Sequence, residues 1–115
     1  MRPEDIPRST GTQWRSLFSI MHVGTLTLTL MVSGSASLKD KRRVVRSLMD
    51  RVRREYHVAI AEVDDLDRHQ RATLGIACVS NDAGHANAML DKVLDFIETN
   101  GDVSVAAIEM EILHL

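Results

Sequence analysis

The sequence predicts an α+β domain, a two-layer sandwich in which one antiparallel sheet carries two helices on one face. Three observations carry that prediction. Apolar residues alternate with period two in separate segments, they recur at helical spacing in two others, and the segments follow one another as β-α-β-β-α-β. Two helices that each join strands, with a hairpin between them, form the ferredoxin-like split βαβ pattern. Right-handed crossovers then place both helices on the same side of the sheet.

Each element has its own signal. Leu26, Leu28, Leu30 and Val32 alternate with Thr25, Thr27 and Thr29, which marks a half-buried first strand from His22 to Val32. Ser33-Gly34-Ser35 is its turn. Ser37 then serves as an N-cap with Asp40 three residues on, a start resembling a capping box. The first helix runs to about Glu55, with Leu38, Val45, Leu48, Met49 and Val52 on its inner face. Val58, Ile60 and Val63 belong to a second strand, and Asp64 to Gln70 form a polar turn. Leu74, Ile76 and Cys78 alternate with Thr73, Gly75 and Ala77 in a third strand.

Asn81 or Asp82 caps the second helix, whose apolar stripe is Ala86, Met89, Leu90, Val93, Leu94 and Ile97. Asn100-Gly101 reads as a helix stop that uses a left-handed residue. Val103 to Leu113 closes the set, with Ile108, Met110 and Ile112 inward and Glu109 and Glu111 outward. The alternation changes phase near Ala106-Ala107, which predicts a bulge there. Residues 21–115 thus make a single domain. Residues 1–20 are expected to be a tail or a non-native extension: Pro3, Pro7 and Ser9-Thr10-Gly11 break regular patterns, although Trp14, Leu17 and Phe18 fall at i, i+3, i+4. Met21 opens the first strand pattern, so a second reading starts the natural product there.

Composition bounds the function classes. At 115 residues, 44% hydrophobic and 26% charged, the chain has an ordinary globular composition for one modest core. No apolar run approaches the roughly 18 residues of a membrane span, and the first 20 residues do not read as a signal peptide, so a cytoplasmic protein without membrane partners is expected. The lone Cys78 excludes an internal disulfide framework and a thiolate-rich zinc site. It falls on the inward face of its strand and reads as a core thiol.

The net charge of −2 conceals an asymmetry. Residues 37–55 hold eight Lys or Arg against three acids, a local charge of +5, whereas residues 56–115 hold eleven acids against three cations, a charge of −8. The conflict with local helix rules lies at the start of the first helix. Lys39, Lys41 and Arg42 crowd a first turn whose dipole disfavours cations by a few tenths of a kcal/mol each. Such a helix start, following a Ser/Gly turn, suits an anion such as phosphate. Ser37, Lys39, Lys41, Arg42, Arg43 and Arg46 are therefore the candidate anion- or nucleic-acid-binding residues. The plainer reading is a solvated basic face that keeps the protein soluble.

Other chemistry is sparse. No G-x-x-x-x-G-K-[ST] loop occurs, and no serine or cysteine triad can be assembled. The five histidines form no i, i+4 metal pair. Asp64, Asp65, Asp67 and His69 cluster in the hairpin turn, where a solvated turn is preferred over a cation site; the pattern is not an EF-hand. No cofactor, metal site or enzyme activity is expected. The open sheet face carries small uncharged residues, and the second strand, as an edge, lacks charge until Glu62, features that favour a homo-oligomer, most simply a dimer.

Ser37-Leu38-Lys39-Asp40-Lys41-Arg42-Arg43, then Ala61-Glu62-Val63, then Asn81-Asp82 ahead of the second helix, resemble the YlxP-like family of small bacterial proteins. The likeness spans about Met21 to Leu113, and the Ser-Leu-Lys-Asp-Lys-Arg run is its most specific part. The resemblance implies a ferredoxin-like fold and a cytoplasmic bacterial protein. It implies no activity, since none is established for the family; its genes often lie beside those for translation initiation and ribosome maturation. That association raises the expectation of an RNA or ribosome partner. Base stacking on the sheet is not expected, because the open face lacks aromatics, so RNA binding would be phosphate-led and salt-dependent.

Overall fold

The computed structural model describes residues 20–115. The expected tail, including Trp14, Leu17 and Phe18, lies outside them apart from Ile20. Six elements follow in the expected order: β1 (His22–Met31), α1 (Leu38–Glu55), β2 (Ala59–Asp64), β3 (Arg71–Ser80), α2 (Ala83–Glu98) and β4 (Ser104–His114). The sheet order is β2-β3-β1-β4 and every neighbouring pair is antiparallel. Both helices pack on one face, α1 over β2 and α2 over β1, β3 and β4. The fold is ferredoxin-like.

Period-two patterning holds in β1 and β3. Leu26, Leu28 and Leu30 are fully buried beneath the helices, opposite Ile76, Leu74 and Ala72 of β3. Leu48, Val52, Leu90, Val93 and Ile97 close this core from above. α2 comes close to β1 at Gly24: a Cβ there would lie 2.8 Å from Leu90 Cδ1, so the absent side chain lets the helix settle on the strand.

Irregular points follow local chemistry. β4 shifts register between the pairs Thr29↔Ala107 and Leu30↔Val105, so Ala106 is the extra residue of the expected bulge. A second shift lies in β2, between Glu62 and Asp64, and leaves Val63 against Gly75 on the open face. The N-cap of α2 is Asp82, whose carboxylate accepts from Gly84 N at 3.0 Å.

The expected left-handed stop after α2 is not used. Among the described residues, positive φ occurs only at Asp65 and Gly34. The helix instead ends through Thr99 in the right-handed region, and Asn100 Oδ1 accepts from Asp102 N at 3.0 Å. The asparagine side chain closes the turn that backbone strain was expected to make.

Candidate functional site

The first turn of α1 sorts its cations by helical position. Ser37 is the N-cap: its extended backbone (φ −154°, ψ 164°) aims Oγ at Asp40 N, 3.1 Å away. The hydroxyl proposed for an anion is thus engaged in capping. From there the residues turned into the protein are Lys41, Val45, Leu48 and Val52, spaced by four, three and four. Lys41 occupies an apolar-stripe position and is fully buried.

Lys41 therefore departs from the expected site. Its Nζ donates to Glu62 Oε2 at 2.7 Å and to the carbonyls of Asp65 and Leu66 at 3.0 and 3.2 Å, with Arg71 O at 3.4 Å. A buried ammonium is tolerated when an opposite charge and further acceptors replace its water. The β2–β3 hairpin supplies that shell. Asp65 takes the left-handed conformation (φ 61°), which Asp adopts more readily than most residues, and its carbonyl is among the acceptors. Lys41 is a structural pin between α1 and the hairpin and has no surface to offer a phosphate.

The outward side of α1 is different. Lys39, Arg42, Arg43, Arg46 and Arg54 line a shallow groove of about 720 Å³ together with Asp40, Ser47 and Asp50. Arg43 lies 3.8 Å from Asp40 at an exposed spot, a contact of small energy. Lys39, Arg42, Arg46 and Arg54 make no ion pair with another described residue. The structure thus keeps Lys39, Arg42, Arg43 and Arg46 together, removes Lys41 and turns Ser37 to capping. It adds Arg54, two helical turns beyond Arg46, in the last turn of α1, where the dipole favours cations. Its signal was the spacing 39, 43, 46, 50, 54 on one face. Arg53 points elsewhere: it donates to the Ile60 carbonyl of edge strand β2 at 2.8 Å and pairs with Asp50 at 3.2 Å.

The hairpin acids serve the turn. Asp65 accepts from Thr73 Oγ1 at 2.7 Å and pairs with Arg71 Nε at 3.1 Å. The Thr73 hydrogen bond, followed by the charges of Arg71 and Arg68, holds its carboxyl below the usual carboxylate range despite opposing desolvation. Asp64 Oδ1 accepts from Asp65 N at 2.8 Å. Cys78 is buried, its Sγ 3.7 Å from Ala86 O, and burial pushes its thiol up. No group of three or more His, Cys, Asp or Glu that could hold a metal occurs among the described residues. The tertiary fold does join two histidines far apart in sequence. His22 and His114 face each other across β1 and β4 with Nδ1 atoms 2.7 Å apart, so one ring donates and the other accepts.

The open sheet face presents Thr25, Thr27, Ala59, Ala61, Gly75 and Ala77, with Val63 exposed beside them and Glu109 and Glu111 along the β4 margin. Among the described residues no Phe, Tyr or Trp lies on it. Tyr56 and Phe96 instead meet edge to face at 5.6 Å, half-buried against the core. Among the described residues no helix is long and apolar enough to cross a membrane.

Comparison with known proteins places these features in a family. Residues 23–110 match the family described as "Protein of unknown function (DUF503)", and the chain belongs to it. Over 69 residues it is 35% identical to the uncharacterized protein YlxP of Bacillus subtilis (strain 168), a match covering 60% of this chain and 75% of that protein. This agrees with the resemblance carried by the Ser37–Arg43 run. Among solved structures it is similar to the de novo designed protein Foldit4, with a TM-score of 0.49 at 12% identity over 81% of this chain and 96% of that one.

Proposed function

We propose that this member of the DUF503 family is an RNA- or ribosome-associated accessory protein that docks on backbone phosphates through the outward face of α1. The single observation that supports the reading is the groove of Lys39, Arg42, Arg43, Arg46 and Arg54, in which four of the five cations have no ion pair among the described residues. Cations in ion pairs stabilise the fold locally; a row without ion pairs among the described residues, on one rigid helix, raises the local potential and attracts a polyanion. Compared with the sequence expectation, the site moves from the helix N-terminus to its flank. The proposed role is binding rather than catalysis, in a cytoplasmic setting.

The test is RNA binding across a salt series, with the parent and with Arg42, Arg43 and Arg46 changed to Glu. Binding that weakens with salt and collapses in the variant is expected. Unchanged binding in the variant, or none by the parent at low salt, would sink the reading.

A second reading, a homo-oligomeric interaction module, rests on β4. This edge strand is eleven residues long and mostly exposed, and an apolar row of Val23, Val79 and Leu113 crosses the open face beside it. Sedimentation at tens of micromolar separates the readings: a dimer supports the module, and a monomer removes it.

A further inference from the structure

We infer that the nucleic acid taken by this surface is double-helical RNA held along one side of its backbone, without readout of bases. The inference rests on the phosphate-docking reading of α1 and specifies its ligand.

Three features carry it. First, among the described residues the surface offers no aromatic side chain on which an unpaired base can stack. Among the described residues the groove is lined only by Lys, Arg, Asp and Ser, the open sheet face carries no aromatic, and Tyr56 and Phe96 meet each other. Proteins that hold single strands draw on base–aromatic stacking worth about 1–3 kcal/mol per base. Among the described residues no aromatic side chain supplies that contribution, and the groove offers the charge of its Lys and Arg.

Second, charge alone favours a duplex. From Lys39 to Arg54 the row extends about 22 Å along α1 at roughly 1.5 Å per residue. Double-stranded DNA presents one phosphate charge per roughly 1.7 Å of its axis, about twice the density of one strand, and releases more counterion per contact; an RNA duplex likewise carries two phosphate backbones along one axis. A rigid row of cations therefore gains more from a rigid duplex than from a flexible strand, which must also lose conformational freedom to align.

Third, the helical layer is polarised. On neighbouring α2, the exposed residues Asp91, Asp95 and Glu98 fall at i, i+4, i+7 and form an acidic stripe. α1 and α2 pack side by side. A polyanion is attracted by one helix and repelled by the next, so its footprint is one helix wide. Such a footprint fits the edge of a duplex backbone, and leaves no second basic wall to enclose a strand.

The experiment is fluorescence anisotropy with a 20-base-pair RNA duplex and with either strand alone in an unstructured sequence, in a salt series. The full chain is used, as parent and as the variant with Arg42, Arg43 and Arg46 changed to Glu. The duplex is expected to bind at least about tenfold more tightly than the single strand, with a log–log salt slope of about −4.5 if all five cations engage. A second duplex of unrelated sequence is expected to bind within about twofold of the first. Equal or tighter binding of the single strand overturns this inference and leaves phosphate docking intact. Absence of binding by either RNA overturns the docking reading itself, and this inference with it. Duplex binding that survives in the variant places the ligand elsewhere and overturns both. If the variant fails to fold, Arg46→Glu alone replaces it, since Arg46 is exposed and in no ion pair with another described residue; a several-fold loss for the duplex is then expected, and no loss counts against the inference.

Discussion

The two sides of α1 carry cations for opposite purposes. On the inner side, Lys41 sits among Val45, Leu48 and Val52 with no exposed surface, and its charge is met by Glu62 and backbone carbonyls of the hairpin. On the outer side, Lys39, Arg42 and Arg46 stand in water without ion pairs among the described residues. Residues 39, 41 and 42 are close neighbours in the chain, yet a rotation of about 100° per residue separates a structural charge from available ones. Net charge of a segment therefore overstates what a ligand would meet, and the face on which each charge falls is the useful quantity.

The largest expected effect breaks the inner side. Lys41→Met leaves Glu62 without its partner and removes the donor from three carbonyls, so a loss of about 3 kcal/mol is expected. In a domain of this size that lowers Tm by more than about 10 °C, measured by thermal or urea melts. Adding Glu62→Leu to it sharpens the comparison: if the cost comes from the stranded carboxylate, the double variant recovers much of the loss. A change below 1 kcal/mol in the single variant would mean that the pin contributes little.

The outer side is expected to respond in the reverse sense. Changing Arg42, Arg43 and Arg46 to Glu should abolish RNA binding at moderate salt while moving Tm by only a few degrees, because exposed charges contribute little to stability. A large drop in Tm would show that the outer row is structural too, and the contrast between the faces would fail.

A third prediction concerns the hairpin that receives Lys41. The folded-state pKa of Asp65 is depressed, so its contribution to stability is fully present above the ordinary carboxylate value and is lost as pH falls through the lower folded value. The parent should therefore lose stability on acidification below about pH 4 more steeply than Asp65→Asn does. Parallel acid limbs would remove Asp65 from the account. The smallest effect is expected at the cap: Ser37→Ala should cost about 1 kcal/mol. If it also weakens RNA binding at a pH and temperature where the variant is fully folded, the hydroxyl has a second role.

Much of the fold was legible in order. The Leu26-Leu28-Leu30 alternation, the Ser37 cap and the phase change at Ala106 are local signals, and each element formed where they pointed. The site was legible only in part. Lys41 falls at spacing 38, 41, 45, 48, 52, which states its inward position, whereas its charge alone groups it with the surface cations. Arg54 is likewise readable from spacing, although it lies in the last turn of the helix and apart from the cations that crowd its start. The Asn100-Gly101 stop misled because an asparagine side chain can close a turn that a left-handed residue would otherwise make.

By itself, the sequence determined which segments become strands and helices, where one strand bulges, and that cations concentrate on α1, because periodicity, capping and charge density depend on residues within a few positions of one another. Only the tertiary structure decided which of those cations remain available. Glu62 is 21 residues from Lys41, and it meets the ammonium because β2 turns that side chain toward the helices just before its bulge. His22 and His114 lie 92 residues apart and touch because β1 and β4 are neighbours in the sheet. The energy of a buried charge depends on the partners that the whole fold brings to it, and no local pattern in the chain states which they will be.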